Sequence, residues 1–286
     1  MYAMRTSFLA LWLAATPLIG AAQTPTEVEC KPQTQIDVTV ITPPLIVIGE
    51  MHGNEQTPAF VGGLVCSLLK SGRAVLLALE KDGMDQTALN RYLVSPGTPS
   101  DRQALLSQGG WGWAMQDGRS SAAMLALIEE MRRLRSAGHR VGLLAMLQSR
   151  GADLPRGGAA QTSSTEDHRL FSRIHERAMA DNLAAASLGG VTVVALAGNV
   201  HTSTVAQKND DPQWRSMAHW LVSMRPVFFI GLSSADGGTS WNCTTQGCGE
   251  RRTGPGPQYQ AGTQIDALAQ LGRLSASPPA LPKPGP

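Results

Sequence analysis

Two short segments place a histidine just after an apolar run, the first with an acid beside it. Leu45-Ile46-Val47-Ile48 leads into Gly49-Glu50-Met51-His52-Gly53, and residues 191–197 lead into Gly198-Asn199-Val200-His201. A third apolar run, residues 74–79, stops at Glu80. A neutral imidazole activates water or binds a metal, and a carboxylate beside it fixes its tautomer and raises its basicity. His52 and His201, with Glu50 or Glu80 as a third ligand, would make a two-His, one-carboxylate site for a divalent metal ion, with positions left open for water. The same residues serve without a metal. One imidazole is then the general base, and the other, with Asn199, acts on a carbonyl oxygen as electrophile. Both chemistries fit the spacing. Taken singly, His52 is equally a loop residue and Glu50 a helix cap.

Continuous apolar runs read as strands buried on both faces, and open α/β sheets bind ligands outside the carboxyl ends of such strands. The expected strands cover residues 45–48, 74–79, 141–147, 191–197 and 227–232. Between them fall helical patterns: residues 58–70, opened by Thr57-Pro58 and stopped by Ser71-Gly72; residues 121–137, with Arg132, Arg133 and Arg135 in the last turns; and a long helix from Ser164 or Thr165 to about Leu188. This alternation predicts an α/β fold with a mostly parallel central sheet flanked by helices and a site at the carboxyl ends of the strands. Residues 95–119 are rich in Gly, Pro, Ser and Gln and read as an irregular insertion or lid, whose Trp111 and Trp113 either wall a pocket or cover the core. The third strand ends in Gln148-Ser149-Arg150, and residues 151–163 form a low-complexity loop. Of the remaining histidines, His139 and His219 read as structural, whereas His168 and His175, seven apart, share a face of the long helix.

The 286 residues, 42% hydrophobic and 16% charged, suffice for one large core. The formal charge of +2 and the scattered Lys and Arg residues exclude a polyanion-binding face, and nucleic acid with it. Residues 1–22 read as an export signal: Arg5, the apolar stretch from Phe8 to Ile19, then Gly20-Ala21-Ala22 before Gln23. No later run reaches the ~20 apolar residues of a membrane helix. The organisation expected is a signal peptide (1–22), one α/β domain (23–276) and a Pro-rich, extended tail (277–286), in a periplasmic or secreted protein. Four cysteines in an exported chain allow two disulfides. Cys243 with Cys248 flanks a turn-like segment. Cys30 with Cys66 is the remainder, with a buried free thiol at Cys66 as the alternative.

Gly49-Glu50-Met51-His52-Gly53 with Glu55, then Glu80, Met179-Ala180-Asp181-Asn182 and Gly198-Asn199-Val200-His201, in this order, resemble the superfamily of erythromycin esterases, Tiki/TraB-type proteases and ChaN-like haem-binding proteins. The resemblance spans about residues 45–205. It implies the same α/β fold, with His52 as the base that activates water, Glu80 as the strand-end acid and His201 as the late histidine. His175-Glu176 departs from the Arg-Asp that precedes the Met-Ala-x-Asn element in esterases. One expected function is exported hydrolysis of an ester or amide in a small-molecule or peptide substrate. The alternative is haem or iron binding without catalysis, with a His or a Tyr (Tyr92 or Tyr259 in the mature chain) as axial ligand. A catalytically inert envelope module is a third.

Overall fold

The structure is a computed structural model that describes residues 30–112, 116–147, 165–205 and 210–281. The expected signal peptide, Trp113, Gln148-Ser149-Arg150 and the loop at 151–163 lie outside the described residues. In chain order the elements are β1 (Leu45–Glu50), α1 (Gln56–Lys70), β2 (Val75–Asp82), α2 (Gln86–Leu93), α3 (Pro99–Leu106), α4 (Ala122–Ser136), β3 (Val141–Leu147), α5 (Thr165–Ala186), β4 (Thr192–Gly198), the single turn α6 (Asn199–Thr202), α7 (Met217–Met224), β5 (Phe228–Ser234), β6 (Gly238–Thr244), β7 (Gly247–Thr253), β8 (Gly256–Pro257) and β9 (Ala267–Gln270).

The five apolar runs form the heart of a seven-stranded sheet in the order β3-β2-β4-β1-β5-β8, with β9 also beside β5. All pairings are parallel except β5 with β8. The fold is therefore the expected mostly parallel α/β sheet flanked by helices. Alternate residues of each strand serve two cores. Ile46, Ile48, Leu77, Leu79, Val194 and Leu196 pack with α1, α2 and α4, while Leu45, Val47, Ala78, Val193, Ala195 and Phe229 pack with α5 and α7. Burial on both faces is what makes the runs continuous rather than alternating. The open edge at β3 is blunted by Gln86 of α2, whose amide donates to the Leu143 carbonyl (3.0 Å) and accepts from the Ala145 N–H (2.7 Å), in place of a further strand.

Two features position the site. The register between β2 and β3 slips between Leu79 and Asp82, a bulge at Glu80-Lys81, and bulges re-aim side chains next to functional sites. On the neighbouring strands the register pairs Glu50 with Gly198, so β1 and β4 end level with each other.

The last third of the chain departs from the expected alternation. β6 and β7 form a separate antiparallel hairpin in which Cys243 and Cys248 face each other and are joined by a disulfide. The hairpin is mostly polar, which leaves no apolar run to reveal it. Cys30 and Cys66 form the second disulfide, so the expected pairing holds and Cys66 carries no free thiol; the bridge ties the entry segment onto α1. Residues 275–281 run as an extended strap across the loops at the strand ends. Ser277 donates to the Gly53 carbonyl (2.8 Å), Ala122 to the Pro278 carbonyl (2.8 Å) and Ala280 to the Ser120 carbonyl (2.8 Å). Among the described residues no helix is long and apolar enough to cross a membrane.

The disulfides close loops of very different length, 36 residues against 5. Removing Cys30–Cys66 as a double alanine variant should lower the unfolding free energy by about 4 kcal/mol, and removing Cys243–Cys248 by about 2 kcal/mol. Urea denaturation of the two variants checks the order. A larger loss from the hairpin would mean that its packing, not loop closure, sets the contribution.

Candidate active site

β1 ends on Glu50, and the chain then turns sharply through His52 and Gly53. The turn is closed by Asn54, whose amide donates to the Met51 carbonyl (2.8 Å) and accepts from the Thr57 N–H (2.8 Å). Asn54 thus caps α1, a role the sequence reading gave to Thr57. Gly53 sits at φ +86, and a Cβ there would lie 2.0 Å from the Trp241 carbonyl oxygen of β6. Gly118 is as crowded from the other side, since its Cβ would stand 1.9 Å from the Gly53 nitrogen. Glycine at both positions lets three backbones stack and hold the His52 turn against the sheet.

The side chains gathered there form one chain of contacts centred on Glu80. His52 Nδ1 lies 2.8 Å from Glu50 Oε1, and its Nε2 faces Glu80 Oε2 at 3.4 Å. His201, on the turn after β4, mirrors this: Nδ1 is 2.7 Å from Glu176 Oε1 of α5, and Nε2 is 3.7 Å from Glu80 Oε1. Glu176 is fixed in turn by the Met217 N–H at the start of α7 (2.8 Å). Glu80 accepts from Arg119 Nη1 (2.7 Å) and from the Gly198 N–H (2.8 Å). Asp117 grips the other edge of the same guanidinium at 2.6–3.0 Å. Glu50, Glu80 and Glu176 are buried, whereas the His52 and His201 side chains remain 19% and 24% exposed. The acids thus line the floor and the imidazoles reach solvent.

Electrostatics follows from this layering. Burial disfavours a charge on His52, but the Glu50 and Glu80 carboxylates outweigh it and raise its pKa from 6.5 to about 10. Burial likewise opposes a charge on His201, and Glu176 and Glu80 again raise its pKa, although the positive charge of His52 pulls the other way. Burial would push Glu80 up, yet His52, His201 and Arg119 hold it well below the usual carboxylate range. Both imidazoles therefore hold their protons more tightly than a free histidine.

The structure brings together four of the five residues singled out in the sequence: Glu50, His52, Glu80 and His201. Asn199 stands half-buried at the start of α6 and gives its carbonyl to Thr202 (3.4 Å); among the described residues no hydrogen bond of its side chain reaches the network. Glu55 is exposed, Met179 and Ala180 are core, Asp181 pairs with Arg177 on the surface, and Asn182 donates to the Met146 carbonyl. His175 stacks on Phe171, and His219 meets Trp220 edge-on. Sequence reasoning missed Glu176, Asp117 and Arg119 as members. Glu176 had a signal, because it is the acid at the point where the chain departs from the esterase pattern. Asp117 and Arg119 lay in the Gly-rich stretch read as a lid.

The donor set does not fit the metal centre expected at His52, His201, Glu50 and Glu80. Glu50 meets the Nδ1 edge of His52, the edge turned away from Glu80, so both carboxylates cannot share a coordination sphere with the two Nε2 atoms. Both Glu80 oxygens already accept charged or amide donors, and among the described residues no group of three or more His, Cys, Asp or Glu side chains is arranged to hold a metal ion. Haem ligation by tyrosine fits no better. Tyr92 is 2% exposed and its hydroxyl donates to Glu129 (2.5 Å), while Tyr259 packs over Gly231.

Comparison with solved structures gives the fold a parallel. An erythromycin esterase, EreC, in a His-to-Asn mutant in its open conformation, superposes with TM-score 0.54 at 11% identity, covering 74% of this chain and 76% of that one. The chain shares the fold of an erythromycin esterase. A Bacillus cereus protein matches with TM-score 0.52 and 14% identity over 76% of this chain and 71% of its own. The haem-binding ChaN of Campylobacter jejuni aligns at TM-score 0.39 and 16% identity over 68% of this chain and 84% of that one, which is too weak for inference about a ligand. No family model matches the sequence, and no curated protein does. At these identities the likeness to EreC is one of fold.

A raised pKa on His52 adds stability that is complete below the unfolded value of 6.5 and is lost as pH rises through about 10. The lowered Glu80 acts in the opposite sense, its contribution being present above 4.5 and lost as pH falls through its folded value. Thermal unfolding should thus be flat near pH 5–6.5 and fall steadily from there to pH 10. The His52→Asn variant should lose most of that alkaline slope. An equal slope in both proteins would assign it to other groups.

Proposed function

We propose that the chain is an exported hydrolase of esters or amides that works by paired imidazoles without a metal. One observation carries the reading: two partly exposed histidines, each fixed at Nδ1 by its own buried carboxylate, turn their Nε2 atoms toward the same buried acid across a gap kept open by Gly198. A Cβ at Gly198 would lie 3.0 Å from His52 Nε2 and 3.5 Å from Glu80 Oε2.

The raised pKa of His52 assigns it the acid role and leaves His201 as the base. Its Nε2 takes a proton from water as the water oxygen bonds to the substrate carbonyl carbon. His52, still cationic, donates from Nε2 to the carbonyl oxygen as negative charge develops there. When the C–O or C–N bond breaks, His201 returns its proton to the leaving alcohol or amine, and the former carbonyl oxygen gives its proton back to His52 as the C=O bond re-forms. Glu80 keeps the two rings facing each other. This exchanges the roles that the family resemblance implies, where His52 is the base, because a pKa of about 10 keeps His52 protonated. Exposure of the imidazoles supports a small-molecule or peptide substrate, and two disulfides support an oxidising compartment such as the periplasm or the exterior.

A panel of nitrophenyl esters and anilides tests the proposal. Activity should rise with pH as His201 loses its proton and fall near pH 10 as His52 does. His52→Ala and His201→Ala should each lower kcat/KM by about 100-fold or more while the protein still melts cooperatively. Turnover should survive a chelator. Full activity in both alanine variants would sink the hydrolase reading, and loss with chelator would return it to a metal site. Gly198→Ala, whose backbone angles (φ −55, ψ 144) suit alanine, should cut turnover about tenfold or more by filling the gap.

A further inference from the structure

The bulge at Glu80-Lys81 has a second effect. Consecutive strand residues normally point to opposite faces, yet Glu80, Lys81 and Asp82 all line one small cleft, together with Asp85, Asp117 and Arg119. The cleft adjoins the Glu80–Arg119 end of the network and holds about 20 Å3, room for one or two water molecules or one polar end group.

Two charged side chains in it are left over by the rest of the structure. Lys81 is 5% exposed, and its ammonium lies 3.6 Å from the centre of the Trp111 ring; among the described residues no carboxylate forms an ion pair with it. Asp85 is 2% exposed and neither of its oxygens has a hydrogen-bond partner. Burial raises the Asp85 pKa, opposed by the nearby Lys81 charge and less by the Gly110 N–H, which does not reach hydrogen-bond geometry. A Cβ at Gly109 would fall 1.5 Å from Asp85 Oδ1, so the loop carries glycine where it passes this carboxylate. A buried acceptor and a buried donor, both short of partners, cost several kcal/mol unless a ligand or water supplies the missing bonds.

We propose that Lys81 and Asp85 form a polar subsite that seats a hydroxy- or amino-carboxylate end group of the substrate, the carboxylate on the Lys81 ammonium and the adjacent hydroxyl or amine on Asp85. Burial lowers the Lys81 pKa to about 8, with Asp85 opposing, so the ammonium still predominates at neutral pH. Trp111 belongs to the core and presents its ring to the Lys81 ammonium, so of the two roles open to it in the sequence it covers the core. The word substrate rests on the hydrolase reading; the binding site itself does not.

The test therefore measures binding rather than turnover. Glycolate, glycine and acetate are titrated by ligand-observed NMR into the full mature chain at pH 7. Glycolate and glycine should bind at least fivefold tighter than acetate. Lys81→Met should weaken all three at least tenfold, and Asp85→Ala should remove the preference over acetate while leaving acetate unchanged. His52→Ala should leave binding as it is. Melting curves identify any variant that does not fold, and the Asp85→Ala arm decides alone if Lys81→Met is lost. Binding that survives both substitutions, or that disappears in His52→Ala, would overturn the subsite, as would no binding of any probe to the wild type. If the probes bind as expected but the ester panel shows no turnover, the subsite stands and the hydrolase reading fails.

Discussion

A buried carboxylate with no escape to solvent, Glu80, organises this molecule. Removing an ionised carboxyl from water costs several kcal/mol unless surrounding charges and donors replace the lost hydration. Here the replacement comes from two imidazoles, a guanidinium and one backbone amide, delivered by three separate segments of the chain. Each of those partners needs its own support. Glu50 orients His52, Glu176 orients His201, and Asp117 holds Arg119. The acids outnumber the guanidinium, so the site stays near neutrality only while the imidazoles carry protons. That balance is why both rings hold their protons more tightly than a free histidine.

How much of this could be read from the sequence depended on whether a residue sat at the end of an apolar run. Glu50, Glu80 and His201 did, and the strands that carry them are unmistakable because both faces are buried. Glu176 could not be found that way, since it lies in mid-helix, where an acid is ordinary until the neighbouring strand end is known. Arg119 and Asp117 come from a turn in a stretch whose composition suggests only irregularity. The bulge in β2 is invisible for a different reason: it depends on the pairing with β3 and leaves no mark in the apolar pattern. The hairpin β6–β7 was missed because its residues are polar on both sides, and its disulfide was the only signal of it.

The likeness to an erythromycin esterase at 11% identity shows how little sequence the architecture requires. A doubly covered parallel sheet asks for apolar residues in runs and for turns at their ends, conditions that many sequences meet. What is particular to this chain lies at the strand ends. On α5 a histidine, His175, stands in place of the arginine of the esterase pattern while Glu176 keeps an acid there, and a lysine occupies the bulge next to the central acid. Function must be argued from those positions rather than from the fold.

The Gly53 carbonyl accepts two hydrogen bonds, from Trp241 of the hairpin and from Ser277 of the strap, each at 2.8 Å. Both donors are nearly two hundred residues or more further along the chain than the turn they hold. The sheet can begin to assemble from β1 to β5, but the His52 turn gains its last supports only when the final segment has docked. The geometry around His52 is therefore completed late in assembly, after strands far ahead of it in the chain have already paired.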